Sequence, residues 1–120
     1  MNYLILIYLN SKEEGELLKN VILRLNSNFR IVAVADIQEF QKVIKTFKVD
    51  ILIVEYELKN QDCFELILSL RRDKKFENTL IGFYADRMSG IIKEQFSALN
   101  INFILDIAKD PAQIKEELVN

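Results

Sequence analysis

Two acidic residues end strand-like runs of the sequence and are the first candidates for chemistry. Glu55 closes the run Asp50 to Glu55, and Asp106 closes the run Ile101 to Asp106. If both runs are parallel strands of one sheet, their carboxyl ends lie at the same edge. Two close carboxylates raise each other's pKa or bind a cation, so the pair could form a metal or acid–base site. No nucleophile or further ligand accompanies them, since Glu57 should point elsewhere, and we favour two solvated charges.

The chain contains no histidine, which narrows the possible sites. A Ser-His-Asp triad, a Cys-His pair and every histidine-based metal site are excluded. The single cysteine, Cys63, cannot form an internal disulfide, which is typical of a reducing, cytoplasmic setting. Two interpretations of Cys63 stay open: a redox-sensitive thiol activated by a helix N-terminus, or a small packed side chain, which is the commoner role.

Length and charge limit the classes of function. The 120 residues fit one domain, predicted to span residues 1–120, and half of them are hydrophobic, as in a globular protein with a core. The net charge of −2 provides no basic patch for nucleic-acid phosphates or anionic membranes. We find no signal-peptide pattern and no apolar run near the roughly 18 residues that a transmembrane helix needs. We therefore expect a cytoplasmic protein that binds neither nucleic acid nor membrane.

Five short apolar runs alternate with five helix-like segments. Most runs consist of isoleucine, valine, leucine or phenylalanine without polar alternation, which is typical of strands buried on both faces of a parallel sheet. The predicted strands are Tyr3 to Leu9, Arg30 to Ala35, Asp50 to Glu55, Thr79 to Tyr84 and Ile101 to Asp106.

The segments between the strands carry helix start signals. Ser11, Asp36 and Asp62 are each followed three residues later by glutamate, the spacing of a capping box. Asp110 before Pro111 predicts the start of a fifth helix. The charged stretch from Arg71 to Lys75 is predicted to be a solvated loop. Apolar residues at helical spacing mark the inward faces. These are Leu18, Ile22 and Leu25 in the first helix, Ile37, Phe40, Ile44 and Phe47 in the second, and Ile92, Phe96 and Leu99 in the fourth.

The alternation of strands and helices predicts a three-layer α/β fold. Parallel strands need right-handed crossovers, so helices must cover both faces of the sheet. A chain with five strands suits the flavodoxin-like (βα)5 arrangement, with strand order 2-1-3-4-5 and its site at the carboxyl ends of the central strands.

The middle of the chain resembles the receiver domain of bacterial response regulators. In that family, strand three ends in the aspartate that accepts a phosphoryl group, and an Asp-Gly pair opens the third helix seven residues later. Here Glu55 stands at the acceptor position, and Asp62-Cys63 stands at the Asp-Gly pair, without a gap. The segment from Ala98 to Phe103 is similar to the family's Ala-Gly-Ala segment before an aromatic residue on strand five.

The departures from the family pattern affect its phosphorylation site. The acidic pair that holds Mg²⁺ with the acceptor is replaced by Tyr8 and Leu9, which cannot supply the oxygen ligands that magnesium needs. Glu55 replaces the acceptor aspartate, Tyr84 the threonine or serine, and Asp106 the lysine. The resemblance therefore implies a pseudo-receiver that binds no metal or other cofactor.

Two tyrosines stand at these degenerate positions. We expect Tyr8 and Tyr84 to fill the former pocket, with a phenol donating a hydrogen bond to Glu55. The glutamate carries about one negative charge, fewer than a phosphorylated residue, so it could mimic that state only weakly. A locked state unrelated to phosphorylation is the favoured interpretation.

The resemblance also implies an interaction surface. Receiver domains commonly dimerise or bind partners through helix four, strand five and helix five. The candidate residues on that face are Ile91, Lys93, Phe103 and Lys115, with another signalling protein or a second copy as partner.

The sequence thus predicts a non-catalytic pseudo-receiver of two-component type that acts by protein–protein contact. The alternative is a flavodoxin-like domain that binds a flavin or nucleotide, although Gly15, Gly82 and Gly90 form no phosphate-binding loop. An enzyme using Glu55 and Asp106 is the weakest class, because a fold alone does not supply chemistry.

Overall fold

A computed structural model of the chain, which describes residues 3–85 and 99–106, contains a five-stranded sheet. All neighbouring strands are parallel, in the order β2-β1-β3-β4-β5. The strands are β1 (Leu4–Tyr8), β2 (Arg30–Val34), β3 (Ile51–Glu55), β4 (Leu80–Ala85) and β5 (Phe103–Asp106). The predicted strand order is confirmed, and the predicted strand ends differ from the observed ones by at most two residues.

Three helices connect the first four strands, and their starts follow the predicted caps. They are α1 (Lys12–Leu25), α2 (Ile37–Thr46) and α3 (Cys63–Arg71), followed by a short 3₁₀ turn at Lys74–Phe76. At each N-terminus, the side chain of Ser11, Asp36 or Asp62 accepts a hydrogen bond from the backbone N–H three residues later, at 3.2, 2.8 and 3.2 Å. Among the described residues, no helix is both long enough and apolar enough to cross a membrane.

The helices cover both faces of the sheet, as predicted. On one face, Leu18 and Ile22 of α1 pack in a cluster with Ile5 and Ile7 of β1. On the other face, α2 and α3 pack with alternate residues of the same strand, and Phe40 and Ile67 are fully buried there. Each such side chain contributes about 1.5–3 kcal/mol by leaving water. Strand β1 is therefore apolar along its whole length because both of its faces are covered.

Parts of the predicted helices differ from the structure or lie outside it. Phe47 is 43% exposed rather than inward-facing, because α2 ends at Thr46 and the backbone of Phe47 is extended. Leu25 is only half-buried. Ile92, Phe96 and the predicted start at Asp110 and Pro111 lie outside the described residues.

Arg71 corrects the prediction that residues 71–75 form a solvated loop. Its guanidinium donates hydrogen bonds to the carbonyls of Phe76 and Thr79, at 3.1 and 3.0 Å. It also donates to the Asn100 carbonyl and the Asn102 side-chain oxygen, both at 2.9 Å. The last residue of α3 therefore ties the segment before β4 to the segment before β5, and burial lowers the pKa of its guanidinium.

Phe103 also departs from its predicted role. The residue is only 6% exposed and belongs to the core cluster on the α1 face. Its ring covers Gly82 of β4, where an added Cβ atom would lie 2.1 Å from the ring. The prediction that Phe103 contributes to an exposed interaction surface is therefore wrong, because a glycine on the neighbouring strand gives the ring a place to pack.

Candidate functional site

Glu55 ends β3 at the carboxyl edge of the sheet, next to the strand at which the order reverses. Open α/β sheets place their sites at this point. Tyr8, the last residue of β1, pairs with Val54, so the following residue, Leu9, lies beside Glu55. The carboxylate is half-buried and needs hydrogen-bond donors in place of the water it has lost.

Asn10 supplies those donors. Its backbone N–H donates to Glu55 Oε1 at 3.0 Å, and its side-chain amide donates to Oε2 at 2.6 Å. Both carboxylate oxygens are thus bonded to one residue that carries no charge. Hydrogen bonds to a charged group each contribute about 1.5–3 kcal/mol.

The same asparagine also fixes the loop that follows β3. Its side-chain amide donates to the Glu57 carbonyl at 2.7 Å, and its side-chain oxygen accepts from the Lys59 backbone N–H at 2.6 Å. The next residue, Asn60, has a φ of 60°, a left-handed conformation that asparagine tolerates better than most residues. We call this set of contacts, made by Asn10 with Glu55, Glu57 and Lys59, the Asn10 bridge. It joins the β1–α1 loop to the β3–α3 loop.

Sequence reasoning missed Asn10. The available signal was its position, directly after an apolar strand and directly before the helix cap Ser11. Asparagine side chains often bond backbone groups in such turns. Nothing local, however, indicates a partner 45 residues away.

Tyr8 and Leu9 are buried on opposite faces of the sheet. Leu9 is fully buried on the α1 face. Tyr8 is 3% exposed on the α2 face, where its ring stacks on Phe40 with the ring centroids 4.9 Å apart. Consecutive strand residues alternate between faces, so both positions have become core positions.

These side chains do not fit a magnesium ion. Magnesium prefers several oxygen ligands in octahedral geometry. The tyrosine and leucine side chains face two separate cores, and the Glu55 carboxylate already accepts two hydrogen bonds. Within residues 3–85 and 99–106, no group of three or more histidine, cysteine, aspartate or glutamate residues could hold a metal ion.

Tyr84 and Asp106 complete the predicted site positions. Tyr84 pairs with Glu55 across β3 and β4, and it packs on the α1-face cluster. Asp106 pairs with Ala85 at the end of β5. Since β4 separates β5 from β3, the backbones of Glu55 and Asp106 are about 10 Å apart.

Among the described residues, the hydrogen bonds to the Glu55 carboxylate do not involve the phenol of Tyr8, which was one of the two predicted donors. The donors to its carboxylate are the two N–H groups of Asn10. Tyr8 lies on the other face of the sheet from Tyr84, so the two phenols do not share one pocket. Asn10, which directly follows the predicted positions Tyr8 and Leu9, donates the hydrogen bonds to Glu55 that a phenol was expected to donate.

Cys63 is a packed residue rather than an activated thiol. It is 5% exposed in the core on the α2 and α3 face. Burial, with the charges of Asp62 and Glu55, raises the pKa of the thiol to about 12. A thiol with so high a pKa is inert, because the thiolate is the reactive form.

Comparison with known proteins identifies the fold. Neither a family model nor a curated protein matches the sequence. The signal receiver domain of the DNA binding response regulator protein (merR) from Colwellia psychrerythraea is 14% identical, with a TM-score of 0.89 over 98% of this chain and 95% of that one. Chemotaxis response regulator CheY4 of Vibrio cholerae is 15% identical, with a TM-score of 0.85 over 99% of this chain and 98% of that one. The chain has the receiver fold of response regulators.

A third similar structure was determined in the presence of a phosphomimetic. RcsB from Salmonella enterica serovar Typhimurium, bound to promoter rprA in the presence of BeF3⁻, is 17% identical, with a TM-score of 0.81. The match covers 99% of this chain and 66% of that chain.

Removal of the Asn10 side chain tests the strength of the bridge. We expect Asn10→Ala to lower the free energy of unfolding by about 2 kcal/mol, because Glu55 loses a donor while it stays half-buried. Urea unfolding measures the change. Asn20→Ala, at an exposed asparagine of α1, is the matched control and should change stability by less than about 0.5 kcal/mol. An equal effect of the two substitutions would show that the bridge contributes nothing to stability.

The Cys63 thiol should be protected from alkylation in the folded protein, and its burial should lower the stability of the fold at high pH. We expect slow alkylation by iodoacetamide at pH 8 in the native state and fast alkylation in urea. Because the folded state keeps the proton from the ordinary pKa of 9.0 up to about 12, stability should fall as the pH rises through that range. Cys63→Ala lacks this titration and should lose less stability there. Rapid alkylation of the native protein would contradict the buried position.

Proposed function

We propose that residues 1–120 form a receiver-like signalling domain that does not accept a phosphoryl group by the usual Mg²⁺-dependent route. In this proposal the domain is not an enzyme and acts by contact with another protein. The observation that carries the proposal is the Asn10 bridge, which bonds both oxygens of the carboxylate at the acceptor position.

Phosphoryl transfer needs a metal or positioned cations to neutralise the charge of the transferred group. Here the two metal-ligand positions carry Tyr8 and Leu9, both buried in core clusters. A phosphorylated Glu55 would also lose at least one hydrogen bond from Asn10. The missing metal ligands disfavour the transfer of the phosphoryl group, and the lost hydrogen bond disfavours the phosphorylated product.

The bridge further supports a single, locked state of the site. A switch needs two arrangements of similar free energy that a ligand or modification can shift. The Asn10 side chain joins the β1–α1 and β3–α3 loops through three hydrogen bonds that need no phosphate or metal. We therefore infer that Glu55 holds the loops in one arrangement, whether or not that arrangement mimics a phosphorylated receiver.

The partner in this proposal is another signalling protein or a second copy of the chain. Ile91, Lys93 and Lys115, which lie outside the described residues, remain the proposed contacts on the face of helix four, β5 and helix five. RcsB is bound to a promoter in its structure, but the net charge of −2 here favours a protein partner over nucleic acid. We also propose a cytoplasmic location, because the single cysteine cannot form an internal disulfide, which is typical of a reducing setting.

No specific observation favours the flavin or nucleotide alternative. Gly15 lies in α1, where an added Cβ atom would be 3.2 Å from the Ala33 side chain, and Gly82 lies under the Phe103 ring. Both glycines therefore allow close packing rather than a phosphate-binding loop.

Titration with Mg²⁺ and beryllofluoride, monitored by amide NMR, tests the proposal. We expect no saturable chemical-shift change at Glu55 or at the neighbouring Asn10 and Lys59. RcsB, whose structure was determined with BeF3⁻, serves as the positive control under the same conditions. Saturable shifts centred on Glu55 would overturn the proposal. The same titration is repeated with Asn10→Ala. Binding of beryllofluoride to this variant alone would show that the Asn10 bridge prevents binding in the unchanged protein.

A further inference from the structure

A cleft of about 390 Å³ opens beside the Asn10 bridge, on the α2 side of the sheet. One wall consists of Asp36 at the end of the β2–α2 loop and Gln38 in the first turn of α2, and the other is the β3–α3 loop with Lys59 and Gln61. Tyr8, at the end of the central strand, also lines the cleft. Cavities that bind small molecules start at about 300 Å³ and use a few polar groups to orient the ligand. The cleft therefore has the size of a site for a small polar molecule.

The hydroxyl of Tyr8 is the unusual group in this cleft. The side chain is 97% removed from solvent, and its ring stacks on Phe40. No hydrogen bond from the described part of the chain reaches this hydroxyl, and its oxygen keeps some accessibility to solvent at the cleft that Tyr8 lines. Burial, followed by the charges of Asp36 and Cys63, raises the pKa of the phenol, so it stays uncharged, and its oxygen can accept a hydrogen bond from a ligand. An unpaired polar group at the edge of a cleft indicates that a ligand atom can complete its bonding.

The two walls carry opposite charges. Asp36 is exposed, and only its Oδ1 atom is used in capping α2. Lys59 is exposed on the opposite wall. In residues 3–85 and 99–106 the ion pairs are Lys12 with Glu39 and Glu16 with Lys19, so neither Asp36 nor Lys59 has a charged partner.

We propose that this cleft binds a small zwitterion of the α-amino-acid class. The ammonium group lies against the Asp36 carboxylate and the Tyr8 hydroxyl, and the carboxylate lies against the Lys59 ammonium. A ligand with a single charge leaves one wall unpaired, and a phosphate meets one lysine together with a repelling aspartate. Ala35 and Ile37 line the remaining space and suit an aliphatic or small side chain. This inference goes beyond the proposed function and does not depend on whether Glu55 is phosphorylated.

Amide NMR of the full chain tests the inference with each of the twenty common L-amino acids as the probe. We expect at least one to give saturable shifts in both loops, at Asp36 and Lys59, with a Kd near or below about 1 mM. Methylamine and acetate, which carry one charge each, should bind at least about tenfold more weakly. Tyr8→Phe keeps the stacked ring and Asp36→Asn keeps the helix cap, and each should weaken binding by about tenfold or more. Lys45→Gln, at an exposed lysine elsewhere on α2, is the control and should leave binding unchanged.

Three results would overturn the inference. The first is the lack of saturable shifts with all twenty amino acids. The second is equal binding of methylamine or acetate, which would indicate a simple ion site. The third is undiminished binding to Tyr8→Phe and Asp36→Asn, which would place the ligand elsewhere on the surface.

Discussion

The hydrogen bonds between Asn10 and Glu55 solve a problem that the fold itself creates. Strand β3 is buried along its length, so the carboxylate at its end is partly removed from water and must be neutralised or bonded. A metal ion is one way to satisfy such a group, and neutral amide donors are another. The chain uses the second way, and the geometry of both neighbouring loops follows from it. The backbone of Lys59, and with it one wall of the adjacent cleft, is positioned by the same asparagine.

The first strand explains why a metal site is difficult to build here. Its last residue, Tyr8, and the following Leu9 extend the two cores on opposite faces of the sheet up to its carboxyl edge. Apolar burial at these positions adds about 1.5–3 kcal/mol per side chain, whereas a buried acidic pair needs a cation to be tolerated. The edge of the sheet is therefore part of the hydrophobic core rather than a polar site. Exposed polar side chains lie instead in the neighbouring cleft, which Asp36 and Lys59 line.

The elements of the fold were predictable because their signals are local. Capping residues such as Asp36 act within one helical turn, and buried parallel strands are continuous apolar runs. The details of the site depend on contacts between distant residues. Asn10 bonds Glu55 45 residues away, and Arg71 bonds Asn102 31 residues away, with no periodic pattern that marks either pair. The burial of Phe103 likewise depends on a glycine on the neighbouring strand, which the resemblance to receiver domains did not indicate when it implied a surface role.

Hydrogen exchange at two backbone amides tests the central claim most directly. The Asn10 N–H is bonded to the Glu55 carboxylate and the Lys59 N–H to the Asn10 side chain, although both lie in loops. If the bridge locks the site, both amides exchange more slowly than unstructured peptide by at least about tenfold, with the same opening free energy and no dependence on Mg²⁺. Exchange of either amide at the unstructured rate, or protection that appears only when Mg²⁺ is added, would contradict the account.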